Sequence, residues 1–233
     1  MKKTVILILA ALLLSGCARQ AATKAAVSEE TAPVPVTEES TAPLETTQAT
    51  TPSEIDPEEA ALAMYDWVLN QYREAKNQGW DAQQCTDAGI SYMVALCDGL
   101  TYALEDLDGN GNLELMIRCG DIVLDAYTLT DEGPALILSG GERNSYRITQ
   151  KEGDSDFYIL NHGANNAASS VVNVYRLDGT ELVLVESNVF DAMADAENPW
   201  FRMEGDSLIP ISEEEFTSLE ETYRVCVMAD YAL

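Results

Sequence analysis

Tyr102-Ala103-Leu104-Glu105-Asp106-Leu107-Asp108-Gly109-Asn110-Gly111-Asn112-Leu113-Glu114-Leu115-Met116-Ile117 is where the periodicity of this chain changes. Upstream, apolar residues recur at helical spacing. Downstream they alternate, and short turn signals separate the runs. The strand pattern covers Thr101 to Leu104, Leu113 to Cys119, Ile122 to Leu129, Ala135 to Leu138, Ser145 to Thr149, Phe157 to Leu160, Val171 to Leu177 and Glu181 to Val185. Asp178-Gly179 is a tight hairpin, and Asp131-Glu132-Gly133 joins another pair. Trp200 to Met203 and Ser207 to Ile209 flank Glu204-Gly205-Asp206 as a further hairpin. Successive short strands with short turns predict an antiparallel meander.

Helices are predicted at both ends of that meander. Asp56-Pro57-Glu58-Glu59 combines an N-cap residue, a proline for the first turn and an acid three residues after the cap. Leu62, Tyr65, Leu69 and Tyr72 then form one face, with Ala61 and Val68 beside them, and Gly79 ends the helix. A short second helix is expected within 86–97. Ser212 and Glu215 repeat the capping box, and Phe216, Leu219 and Tyr223 supply the apolar face of a late helix. The predicted fold is α+β, an antiparallel β-meander sheet flanked by an N-terminal and a C-terminal helix.

The turn inside the opening stretch carries the chemistry. Oxygen-bearing side chains fall at alternate positions: Asp106, Asp108, Asn110, Asn112 and Glu114. A tight loop directs every second side chain inward, which suits calcium, a hard cation that takes six to eight oxygens. Asp106, Asp108 and Asn110 would converge, Asn112 would offer its backbone carbonyl, and Glu114 would close the site directly or through water. Gly111 permits the sharp turn, while Leu113 and Leu115 anchor the loop in the core. The start matches an EF-hand loop, but Ile117 stands where that loop needs its bidentate Glu, and strand follows instead of helix. The loop resembles the DxDGxGxxE/D hairpin of VCBS and FG-GAP repeats. The wider stretch, 102–117, resembles uncharacterised secreted lipoproteins of Gram-positive bacteria. Those pair a lipid anchor and a Thr/Pro-rich tether with one such hairpin and a β-rich domain, and the resemblance implies no particular activity. True propellers repeat the loop, whereas this chain has one.

The address is written at the N-terminus. Lys2 and Lys3 precede an apolar run from Val5 to Leu14, too short to span a bilayer as a mature helix. Leu14-Ser15-Gly16-Cys17 then resembles the bacterial lipobox. The resemblance implies a signal peptide over 1–16 and fatty acyl chains, palmitate among them, on Cys17. The expected product is a lipoprotein with a membrane anchor on the extracytoplasmic face of the cell membrane. Residues 17–54 are the lipidated Cys and a Thr/Pro/Glu-rich tether whose composition cannot bury a core. Such a segment reaches at most ~120 Å stretched and roughly 35 Å as a coil, which lifts the domain at 55–233 off the membrane.

Charge and cysteine bound the function. The whole chain has 40 acids and 13 Lys plus Arg, of which Lys2 and Lys3 belong to the signal. So acidic a surface repels nucleic acid and anionic headgroups, suits cations, and keeps a cell-surface protein soluble. Besides Cys17, Cys85, Cys97, Cys119 and Cys226 are an even number, permitting two disulfides in an extracytoplasmic domain. None lies in a CxxC, which argues against a zinc knuckle. Cys119 shares a strand face with Leu113, Leu115 and Ile117, so a buried thiol is the other reading.

Two functions compete. A tethered, acidic, β-rich domain suits a binding or interaction module for a glycan, a peptide or a protein, with Trp80, Trp200, Tyr146 and Tyr158 as candidate stacking residues. The alternative is a cell-surface hydrolase with a site near His162, the only histidine, followed by Ser169 and Ser170. No GxSxG elbow, HExxH motif or phosphate-cradling loop accompanies it.

Overall fold

The computed structural model describes residues 56–233. The signal segment, Cys17 and the tether lie outside the described residues. Helix α1, Pro57–Gln78, starts where Asp56 accepts a hydrogen bond from the Glu58 N–H at 3.0 Å. It ends at Gly79, whose φ of 64° is left-handed backbone that a residue without Cβ adopts freely. Tyr65, Val68, Leu69 and Tyr72 are buried on one face. The second helical segment differs from expectation by splitting in two. Helix α2 runs Ala82–Asp87, Gly89 reverses the chain at φ 76°, and Ser91 caps a single 3-10 stretch at Tyr92–Leu96.

The strands are β1 Leu100–Glu105, β2 Glu114–Cys119, β3 Ile122–Thr130, β4 Gly133–Ser139, β5 Asn144–Lys151, β6 Phe157–Asn166, β7 Ser169–Asp178, β8 Glu181–Asp191, β9 Trp200–Glu204 and β10 Ser207–Pro210. Helix α3, Glu213–Thr222, follows, and then two short strands, β11 Tyr223–Val225 and β12 Tyr231–Ala232. All pairings are antiparallel, so the class is α+β: an open antiparallel sheet with three helices.

The sheet departs from a simple meander in two places. The β12 strand returns to pair with β1, and β11 pairs with β5, so the late helix is not the last element and Tyr223 belongs to a strand. The second departure is a fold in the sheet. Within these strands β3 meets β5 only through Val123 and Tyr146; beyond that point β4 continues along β3, and β11 along β5. Hydrophobic burial accounts for this geometry. One face of β1–β3 packs Leu115, Ile117, Leu124 and Tyr127 against α1. The opposite face packs Ala103, Met116, Val123 and Ala126 against Ile148, Ile159 and Leu177 of β5–β7. The outer side of β6 and β7 packs Tyr158, Leu160, Val172 and Val174 against Phe216 and Leu219 of α3 and against Tyr223. Strand β2 is therefore covered on both faces, and all but its last residue are buried.

The four cysteines among the described residues form one disulfide, Cys97–Cys119, not two. Cys85 is a buried thiol and Cys226 a partly buried one. The bond pins the 3-10 stretch to the end of β2, enclosing β1 and the loop after it.

Candidate metal centre

The loop at 106–113 leaves β1 and re-enters the sheet at Glu114, the first residue of β2. Its own backbone holds it. Asp106 accepts from the Asn110 N–H at 3.1 Å and, through its other oxygen, from the Gly111 N–H at 3.0 Å. Asp108 accepts from the Asn110 N–H at 3.1 Å. Gly109 and Gly111 lie at φ 74° and 90°, which lets the chain turn so tightly around two aspartates. Leu107 points the other way and is buried among Met116, Ala126 and Leu177. At the end of the loop the Tyr65 hydroxyl of α1 reaches the carbonyls of Leu113 at 2.9 Å and Tyr127 at 3.1 Å.

These contacts bring Asp106, Asp108 and Glu114 together, with one carboxylate oxygen of each lying within 4.8 Å of the others. Carboxylate oxygens so placed can share one metal ion. The donor set is all oxygen and anionic, the chemistry a hard divalent cation selects. The side chain of Asn110 turns to its own loop: its Nδ2 donates to Asp108 at 2.9 Å and its Oδ1 accepts from the Asn112 N–H at 2.7 Å. Asn112 is exposed.

Glu114 is fully buried. One oxygen accepts from the Leu107 N–H at 2.8 Å, the other from the Thr128 hydroxyl at 2.8 Å. Burial pushes its carboxyl up to about 7; the two hydrogen bonds oppose the rise, and Asp108 and Asp106 add to it. A buried carboxylate beside two more is an unfavourable arrangement for the ionised form, and a bound cation reverses that.

Two partners of this centre carry no signal in the sequence. Thr128 lies on the neighbouring strand. The Gly179 N–H, in the β7–β8 turn 71 residues from Asp108, donates to the second oxygen of Asp108 at 3.0 Å. The Asp178-Gly179 pair reads only as a hairpin turn until the sheet folds over and sets it above the loop. A cleft of about 230 Å³ opens between them, lined by Asp106, Asp108, Asp156, Phe157 and Arg176. Arg176 is paired with Asp156 at 2.7 Å.

His162 lies inside β6. Its Nε2 stands 3.5 Å from a Glu220 oxygen of α3 and makes no hydrogen bond. Burial lowers its pKa, Glu220 opposes this, and Arg147 adds to it. Among the described residues no serine hydroxyl bonds its ring. Of the expected stacking residues, Tyr158 is core, buried against Tyr223 with ring centroids 5.0 Å apart, and Trp80 packs on the α1 core. Trp200 is half-buried, with its ring edge-on to Phe190. The exposed tryptophan is Trp67, on the outer face of α1.

One buried network serves the fold. The Tyr72 hydroxyl donates to Asp125 at 2.6 Å and contacts the Tyr127 hydroxyl at 2.8 Å, and the Ser91 N–H donates to the same Asp125 oxygen at 2.8 Å. The helical stripe read as apolar thus carries a hydroxyl to a buried carboxylate. No helix of the described residues is long and apolar enough to cross a membrane. No protein-family model matches the chain, and neither a curated protein nor a solved structure matches it.

Proposed function

We propose that this chain is an extracytoplasmic lipoprotein, anchored through acylated Cys17, whose tethered domain is a binding module with one structural calcium ion in the 106–114 loop. The observation that carries the metal reading is the convergence of Asp106, Asp108 and the buried Glu114. Three carboxylates without a bidentate closing ligand suit weak binding, roughly 10⁻⁴ to 10⁻³ M, the range of extracellular modules. The role is structural. Asp108 also receives the Gly179 N–H, so an ion here ties the β1–β2 turn to the β7–β8 turn and offsets repulsion among the acids. The Cys97–Cys119 bond supports an oxidising compartment, and the acid excess speaks against a nucleic-acid partner. A binding role is favoured over hydrolysis because the histidine ring faces a glutamate and no serine nucleophile.

The test is a melting curve with calcium, with magnesium and with chelator. Calcium at about 10 mM is expected to stabilise the domain by about 1.4–2.7 kcal/mol, the mass-action gain for a site of that affinity. Asp106→Ala with Asp108→Ala removes the shift. If magnesium shifts the wild type as much as calcium does, the calcium reading fails.

A further inference from the structure

The inner face of β5–β8 carries the core residues Ile148, Ile159 and Leu177 where the sheet lies under β1–β3. Beyond that cover the same face changes character. Asn144, Asn161, Asn173 and Ser187, one from each of four adjacent strands, form a continuous row. Asn161 donates to Asn144 at 2.7 Å, Asn173 to Asn161 at 3.3 Å, and the Ser187 hydroxyl to Asn173 at 2.7 Å. Asn144 continues the row by donating to the Tyr146 hydroxyl at 3.0 Å. Asn161 stands opposite Tyr146 and Asn173, and Asn173 opposite Ser187, so the row follows the register of the sheet.

Asparagine is disfavoured in strands, and an exposed strand face needs only soluble residues. Here Asn161 and Ser187 are 4% and 3% exposed, Asn173 is half-buried and Asn144 exposed, so the row runs from the interior to solvent. The row also leaves hydrogen-bonding capacity unused. Each amide has two N–H donors and an oxygen with two lone pairs. Asn161 spends both N–H groups, the second on the Ser145 carbonyl at 3.2 Å. Asn144 retains one N–H and all three amide oxygens retain a lone pair, while the Asn173 amide also reaches the Tyr175 hydroxyl. A cavity of about 520 Å³ lies over the row, with Asn144, Asn161 and Asn173 in its lining and Tyr92 and Gly141 among its other residues. That volume is within the range of small-molecule sites, about 300–1,000 Å³. Tyr92 is held in place there, its hydroxyl accepting from the Glu142 N–H at 2.8 Å. Gly141 lets it approach, since a Cβ at that position would stand 3.2 Å from the Tyr92 oxygen.

We propose that this groove binds a neutral oligosaccharide, whose hydroxyls pair with the unused groups of Asn144, Asn161 and Asn173 while a sugar ring rests against Tyr92. Hydroxyls both donate and accept, which a row of neutral amides matches; the charged residue of the lining, Arg143, is exposed and donates to the Asn165 carbonyl at 3.4 Å. Strands about 4.8 Å apart give four rungs a span of about 14 Å, long enough for several contacts along one chain. A peptide is disfavoured because β6 and β7 are interior strands with no free edge here to extend. The proposal deepens the binding-module reading and rests on it, but not on the calcium loop.

The test is a titration of the isotope-labelled protein with cellotetraose, maltotetraose, chitotetraose and mannotetraose, following the side-chain amide resonances with and without calcium. At least one sugar is expected to shift the Asn144 and Asn173 amides saturably. Asn144→Ser and Asn173→Ser are expected to weaken that sugar up to about tenfold each, the loss of one hydrogen bond to the sugar, with melting temperature as the fold control. Asn144 is exposed at the end of the row, so Asn144→Ser keeps the test open if Asn173→Ser does not fold. The inference is overturned if none of the four sugars moves these resonances, if the shifts map elsewhere, or if Asn144→Ser binds as wild type. Sugar binding that persists while calcium leaves the melting curve unmoved counts against the metal reading alone.

Discussion

In chelator at about pH 8, Glu114→Gln is expected to raise the melting temperature of the domain, and added calcium is expected to narrow that gain. Glutamine keeps the shape and both partners: its carbonyl accepts from the Leu107 N–H, and its amide donates to the Thr128 hydroxyl, which rotates to accept. What it removes is a buried charge. The carboxyl of Glu114 rises from 4.5 to about 7, chiefly because burial removes it from water. At about 1.4 kcal/mol for each tenfold, the ionised form costs up to about 3.4 kcal/mol. For a domain of this size that is about 7–13 °C. The pH dependence follows from the sign of the change. An acid whose folded pKa is raised gives up its proton first in the unfolded chain, so its stabilising contribution is complete below about 4.5 and is lost as pH rises through about 7. Wild type and variant should therefore melt together near pH 4 and separate by pH 8. Calcium is expected to stabilise the wild type by holding the carboxylate in its ionised form, and to stabilise the variant less. Differential scanning calorimetry across pH, in chelator and in calcium, reads all of this. If the variant gains nothing in chelator at pH 8, or calcium raises both proteins equally, the account of Glu114 as a desolvated metal ligand is wrong.

Three further outcomes are expected. Cys97→Ser with Cys119→Ser opens a loop whose ends are 22 residues apart, and chain entropy puts the loss at about 3.4 kcal/mol; reduced, alkylated wild type should melt alongside the double variant. His162 has its pKa lowered by burial, so its stabilising contribution is present above the ordinary histidine value and is lost as pH falls below it; His162→Gln should flatten the acid limb of the stability curve near that value in denaturant titrations. Cys17→Ser should release the protein to the medium or block its processing, and mass spectrometry of the wild-type N-terminus should find diacylglycerol on Cys17; an unmodified mature N-terminus elsewhere removes the anchor from the proposal.

Features that depend on near neighbours were legible in the sequence. Asp56, Pro57 and Gly79 bracket α1 because capping and left-handed backbone are decided within one turn. The Asp178-Gly179 hairpin and the alternation of β2 follow from similarly local preferences. The pairing of Asp106 with the N–H groups of residues 110 and 111 belongs to the same class, since a nine-residue stretch with two glycines closes on itself. Tertiary structure decided what happens when distant segments meet. Alternation cannot say that β2 is covered twice, and that second cover desolvates Glu114 and turns a turn-closing acid into a buried one. It cannot say that the sheet folds beside Val123 and Tyr146, which brings Gly179 to Asp108. Which cysteines pair depends on the approach of the 3-10 stretch to β2, and the amide row depends on the register of four strands, each contributing a single unremarkable polar residue. Local sequence specifies turns and caps through contacts a few residues apart; desolvation and side-chain rows arise only where burial stacks separate segments.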